Sequence, residues 1–217
     1  MIMQKISIIG SGMVGQALAK GFLKYGYPTI IASRSEAKRN ELKTAIGGDI
    51  QTAHVEEAAK EGDIIVLAVK GTAAEAAVDA CGAGNLDGKV VMDATNPIAD
   101  EAPENGVLRY FTDINHSLME KLQAKAPAAK FVKAFSCVGN AYMVDPDLPG
   151  GKPTMFICGN DDDAKTAVKN ILDQFGWESE DMGAVEAARA IEPLAMLWCI
   201  PGFRENRWTH AFKLLKA

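Results

Sequence analysis

Six residues near the start of the chain, Gly10-Ser11-Gly12-Met13-Val14-Gly15, fit the spacing Gly-x-Gly-x-x-Gly. That spacing carries chemistry where the turn follows a strand and opens a helix. The first glycine permits a tight turn, the second lets backbone approach a pyrophosphate, and the third lets the helix pack close to the strand. The N–H groups of Met13 and Val14, at the positive helix end, would then face the phosphates. The second apolar run ends in Ile31-Ala32-Ser33-Arg34-Ser35. A site for NAD places a carboxylate at that point to accept from the ribose 2′-hydroxyl, and this sequence has none. Ser33, Arg34 and, one helical turn on, Lys38 offer donors and positive charge suited to a 2′-phosphate. NADP(H) is therefore the expected cofactor.

The ends of the later strands should meet the nicotinamide half of such a ligand. They supply Val69 and Lys70, then Asn96, then Ala134 and Ser136 as candidate contacts, with Asn96 and Ser136 placed to hold a carboxamide or touch an acceptor. A proton-transfer group is harder to find. His54, His116 and His210 fall at expected helix ends or surface positions, and Cys81, Cys137, Cys158 and Cys199 are widely separated, as buried reduced thiols would be. No Walker loop, nucleophile elbow or metal-ligand cluster stands out, so no catalytic side chain and no metal are expected. That pattern suits an acceptor that takes hydride into its own conjugated ring, with the protein aligning two rings rather than moving protons.

The elements that must position these residues alternate. Apolar strand-length runs near residues 5–9, 29–32, 50–53, 63–69, 89–94 and 131–136 are separated by helical patterns. This is the form of a Rossmann-type, doubly wound parallel α/β sheet. Residues 96–116, polar and holding Pro97, Pro103 and Gly106, read as a lid or binding loop. A segment rich in proline and glycine from Val144 to Pro153 divides residues 1–143, the nucleotide-binding domain, from residues 144–217, a small α/β C-terminal capping part. In that part a strand at 154–158 and an amphipathic helix at 164–175 are expected to extend the main sheet. A helix kinked at Pro193 and a last helix bearing Trp208, Phe212 and Leu215 follow.

Composition bounds the rest. In 217 residues, 23 Lys and Arg stand against 28 Asp and Glu, and 48% of residues are apolar. A net charge of −5 without a basic patch argues against nucleic acid or anionic membrane as partner. The apolar stretch 190–203 is interrupted by Glu192, Pro193 and Pro201 and is too short to span a bilayer. A cytoplasmic protein with no membrane segment is expected.

The stretches IIGSGMVGQALAKGF, ASRS, VKAFSCVGN, PDLPGGKPTMFICGNDDDAK, EAARAIEPLAMLWCIPGF and HAFKLLK resemble the coenzyme F420-dependent NADP oxidoreductases and their bacterial relatives, over nearly the whole chain. The resemblance implies a Rossmann domain, a C-terminal part that helps close the acceptor site, a phosphate site at Ser33, Arg34 and Lys38, and a homodimer. The expected activity is hydride transfer between NADP(H) and a small-molecule acceptor, F420 itself, a flavin or a similar two-electron carrier, lying under the 96–116 loop against Phe135, Cys137 and the Trp198–Trp208 segment. Lys70-Gly71-Thr72-Ala73 departs from the bulkier residues of the deazaflavin-reducing members. Two other readings stay open: an NADP(H) sensor without catalysis, and a small-substrate imine or hydroxy-acid reductase.

Overall fold

The computed structural model describes residues 3–216; the outermost residues of the two expected units, 1–2 and 217, lie outside it. Six strands, β1 (Ile6–Ile9), β2 (Thr29–Ala32), β3 (Gln51–Ala53), β4 (Ile64–Leu67), β5 (Val90–Asp93) and β6 (Lys130–Lys133), form one parallel sheet in the order β3-β2-β1-β4-β5-β6. The order reverses between β1 and β4, so a crevice opens beyond their carboxyl ends, the usual ligand position in such sheets. The expected doubly wound architecture is the observed one.

Strand periodicity explains why both faces are covered. Ile6, Ile8, Ile31, Ile64, Val66, Met92 and Val132 point to one face, while Ile9, Ile30, Ile65, Leu67, Val91 and Phe131 point to the other. On the first face pack α1 (Met13–Lys24), through Leu18 and Phe22, and α2 (Glu36–Ile46), through Leu42. The second face takes α3 (Val55–Glu61), α4 (Ala74–Ala80) and α5 (Leu118–Lys125). Local sequence starts and stops these helices. Ser117 and Glu120 form a reciprocal capping box on α5. Tyr25 ends α1, and Gly26 then turns the chain at φ +81°.

The C-terminal segment differs from expectation in two respects. The strands β7 (Thr154–Ile157) and β8 (Glu178–Asp181) form a separate two-stranded parallel sheet around α6 (Asp162–Gln174). They do not extend the main sheet by a ladder, because one antiparallel bridge, Lys133 to Cys158, is the link. No helix forms over Trp208, Phe212 and Leu215 either. After α7 (Ala188–Glu205) the chain turns at Asn206, φ 51°, and runs back irregularly, Thr154 N–H donating to the Phe212 carbonyl. Trp208 covers Gly202 so closely that a Cβ there would meet the indole at 2.2 Å, a fold-back that a continuing helix would forbid. Pro193 and Pro201 both sit inside α7. Ile157, Val168, Leu172, Phe175 and Trp177 share the core of the first face with Phe22, so the segment after residue 144 and the sheet before it have apolar packing in common.

Candidate functional site

The glycine turn has the geometry its spacing implies. Gly10 adopts φ +131°, and a Cβ there would lie 2.1 Å from the Ala68 carbonyl oxygen. A Cβ on Gly15 would lie 2.0 Å from the Gly10 carbonyl oxygen, so the helix can sit this close to the strand only with glycine. At Gly12 a Cβ would meet nothing within 4 Å, so that position faces open space. Among the described residues, α1 has no side-chain cap and no acidic residue in its first turn, which leaves its N–H groups and positive dipole end for an anion.

From this turn a cleft of about 360 Å³ runs to the end of β2, lined by Gly10, Ser11, Ser33, Arg34, Lys38 and Val69. Ser33 is buried and Arg34 exposed. Ser35 caps α2 by accepting from the Lys38 N–H at 3.3 Å, which places Lys38 one turn beyond Arg34. The Lys38 ammonium donates to Glu41 at 2.8 Å. Two features escaped the sequence reading. Arg39 Nη1 donates to the Ser33 carbonyl at 2.9 Å and lies 3.4 Å from His54 Nδ1, so a second guanidinium braces the turn. The opposite wall is Ala73, just before α4, and Ala76, Ala77 and Ala80 on it, whose i, i+3, i+4, i+7 spacing is visible in the sequence but reads equally as core.

The other side of the crevice opens into a cleft of about 730 Å³ bounded by Val14, Val69, Lys70, Ala94, Asn96 and Ile98, with Ala99, Asp100 and Glu101 at its outer rim. Asn96 is held by Ser136. The serine hydroxyl donates to Asn96 Oδ1 at 2.6 Å, and Asn96 Nδ2 donates to the Ser136 carbonyl at 2.9 Å. Asn96 and Lys70 thus line the cleft, whereas Ser136, 3% exposed, lies behind Asn96. Ala134 is core, 1% exposed, with its N–H donating to the Asp93 carbonyl. Phe135 and Cys137 are also buried, Phe135 against Phe175 with ring centroids 6.3 Å apart, and they do not wall the cleft as expected.

Nor do the C-terminal aromatics present free ring faces to it. Trp198 stacks on His210 at 4.9 Å, and Trp208 meets Trp198 at 5.6 Å and Phe203 edge-on at 5.2 Å. The 96–116 segment is anchored: short bridges pair Ile98 with Tyr110 and Glu104 with Val107, and the Tyr110 hydroxyl donates to the Glu192 carbonyl at 2.7 Å. Burial raises the Tyr110 pKa, and the negative charge of Glu192 adds to the effect.

Beneath Asn96 lies a buried ionic cluster that the sequence reading did not find. Lys133 Nζ is 2.6 Å from Asp93 Oδ2 and 2.9 Å from Glu192 Oε1, and donates to the Thr95 carbonyl at 2.9 Å. Burial works against the ammonium, but the two carboxylates outweigh it and the Lys133 pKa is raised. Glu192 also accepts from the Leu118 and Met119 N–H groups at the start of α5. One carboxylate therefore ties α7, α5 and β6 together under the turn that carries Asn96.

The remaining titratable groups lie elsewhere. His54 precedes α3, His116 pairs with Asp113 at 2.9 Å on the surface, and His210 contacts the Trp198 carbonyl. Burial pushes the thiols of Cys137 and Cys158 up to about 12 and those of Cys81 and Cys199 to about 11, which leaves them inert. Among the described residues no group of three or more His, Cys, Asp or Glu could hold a metal ion, and no helix is long and apolar enough to cross a membrane.

Residues 5–97 match the family model described as NADP oxidoreductase, coenzyme F420-dependent. The chain is 29% identical to the F420-dependent NADP reductase of Methanocaldococcus jannaschii, over 89% of this chain and 90% of that one. It is 28% identical to the rat metalloreductase STEAP3 over 91% of this chain, but spans only 38% of that relative's length. A crystal structure of a candidate F420-dependent NADP reductase from Arthrobacter sp. FB24 superposes with a TM-score of 0.91 at 27% identity, covering 98% of this chain and all of the other. The match over residues 5–97 takes in the glycine turn, the Ser33-Arg34 turn and Asn96, so this part of the chain is similar to the coenzyme F420-dependent NADP oxidoreductases.

Proposed function

We propose that the protein binds NADP(H) along the two clefts and aligns its nicotinamide with a flat two-electron acceptor. One observation carries this reading: two clefts that share Val69 set a glycine turn and a cationic Ser33-Arg34-Lys38 end beside an open chamber. Gly12, open on its Cβ side, gives the pyrophosphate room against the backbone, while Ser11 and the N–H groups of Met13, Val14 and Gly15 bind it. Ser33, Arg34 and Lys38 hold the 2′-phosphate. Val14, Val69, Lys70 and Asn96 border the nicotinamide, and Ser136 keeps the Asn96 amide oriented. When bound, NADPH supplies a hydride from C4 and leaves as NADP⁺, while the acceptor gains the electron pair and takes its balancing proton from water. The protein contributes proximity and orientation, since no histidine or buried acid lines the chamber.

The same reading makes the protein a cytoplasmic homodimer whose C-terminal part, residues 144–217, closes the acceptor side. The test is thermal unfolding with NADPH and with NADH, followed by NADPH oxidation measured as absorbance loss across a panel of flavins, deazaflavins and quinones. NADPH should stabilise far more than NADH, because ligand affinity adds directly to folding free energy. Arg34→Asp should erase the difference. Equal stabilisation by both nucleotides would overturn the phosphate site, and NADPH binding without turnover on any acceptor would leave a sensor.

A further inference from the structure

The charge of the acceptor chamber identifies the class of acceptor it takes. Its walls and the adjoining hollow are lined by Val14, Val69, Ala94, Ile98, Ala99 and Phe111, enough apolar surface for one flat ring. The charged side chains on those walls are Lys70, Glu75, Asp100 and Glu101, one ammonium against three carboxylates. The cation is already engaged, since Lys70 Nζ lies 3.3 Å from Asp100. The cations just outside are engaged as well: Arg109 lies 3.4 Å from both Glu101 and Glu104, and the Lys121 ammonium sits 5.7 Å from the centre of the Phe111 ring. The opposite cleft has the reverse balance, with Arg34 and Lys38 on its walls and no carboxylate among its lining residues, although Lys38 also pairs with Glu41 just outside it. The molecule therefore places its anion-binding chemistry at the 2′-phosphate end and none at the acceptor end.

We propose that this chamber takes an uncharged or cationic ring acceptor and disfavours one that carries phosphate or carboxylate groups. The inference rests on the hydride-transfer reading above and narrows it. A phosphate- or carboxylate-bearing tail on the acceptor would meet Asp100, Glu101 and Glu75 rather than unpaired cations.

Riboflavin and FMN test this directly, because they share one ring system and differ by a phosphate of charge about −2. Each is titrated by fluorescence quenching into the full-length protein saturated with NADP⁺. At roughly 8 Å in water, a net wall charge of −2 acting on that phosphate gives about tenfold weaker FMN binding at low salt, shrinking several-fold at high salt. Glu75→Gln/Asp100→Asn/Glu101→Gln, three changes at the outer rim that leave the glycine turn and the Ser33-Arg34-Lys38 end untouched, should remove most of the discrimination. FMN binding as tightly as riboflavin, an unchanged ratio in the triple variant, or failure of both flavins to bind would each overturn the proposal. The hydride-transfer reading is scored separately, by NADPH stabilisation and by NADPH oxidation with an uncharged quinone. It can therefore survive a preference for FMN, and its own failure would appear as loss of both signals.

Discussion

Replacing Lys133 by methionine removes the ammonium at the centre of the buried cluster and keeps most of its volume. The side chains of Asp93 and Lys133 are 0% exposed and that of Glu192 is 2% exposed, so neither carboxylate can recruit bulk water. Each keeps some donors: Asp93 Oδ1 accepts from the Thr95 N–H and hydroxyl, and Glu192 from the Leu118 and Met119 N–H groups. Breaking a buried ion pair from one side costs about 3–5 kcal/mol, a large share of the roughly 5–15 kcal/mol that holds a domain folded. The assay is urea unfolding followed by tryptophan fluorescence at pH 7. Lys133→Met/Asp93→Asn/Glu192→Gln, which removes every charge, should recover most of the loss. A single variant costing under about 1 kcal/mol, or a triple variant no better than the single one, would refute this account.

Two further predictions separate binding from folding and fix a pH dependence. Gly12→Ala, with no atom near the new methyl, should leave urea stability within about 1 kcal/mol of the parent and still weaken NADPH binding at least tenfold, whereas Gly15→Ala, driven against the Gly10 carbonyl, should cost several kcal/mol. Isothermal titration and urea melts of both variants check this. The Arg189 guanidinium, with the Ser117 N–H and hydroxyl, holds the Glu120 carboxyl down at about 2. The stability this provides is complete above the ordinary glutamate range and is lost as pH falls from about 4.5 toward 2. Allowing for solvent around the pair it amounts to about 1 kcal/mol, so Glu120→Gln should flatten the acid limb of a stability–pH profile by that amount.

The sheet was legible in the sequence because its signals are local. Uninterrupted runs such as Ile64–Leu67 can only be strands buried on both faces, and the glycine turn follows the first of them directly. The Ser33-Arg34 turn and Lys38 could be placed for the same reason, as they follow the end of one strand by fixed steps. What stayed hidden depends on contacts between distant segments. Lys133 and Glu192 are 59 positions apart, and nothing in their local patterns distinguishes a buried charge from a surface one. The spacing of Trp208, Phe212 and Leu215 suits a last helix, but the covering of Gly202 by the indole overrides that spacing. The Phe135 and Cys137 positions failed as chamber walls because strand alternation breaks at the end of β6, where the backbone leaves the β region.

That break is a left-handed residue, Phe135 at φ 59°, a conformation costly for a bulky side chain and normally left to glycine. The twist turns its ring down among Phe175 and the residues of the first face and aims its N–H at the Met155 sulfur, 3.1 Å away, while the next residue is turned up toward Asn96. A phenylalanine here works as a pivot: its ring is the weight on one arm, and the serine that steadies the chamber floor is the other. Glycine at this position would relax the torsion and lose the counterweight, so loosened packing far below the crevice would be felt as a wandering amide at its mouth.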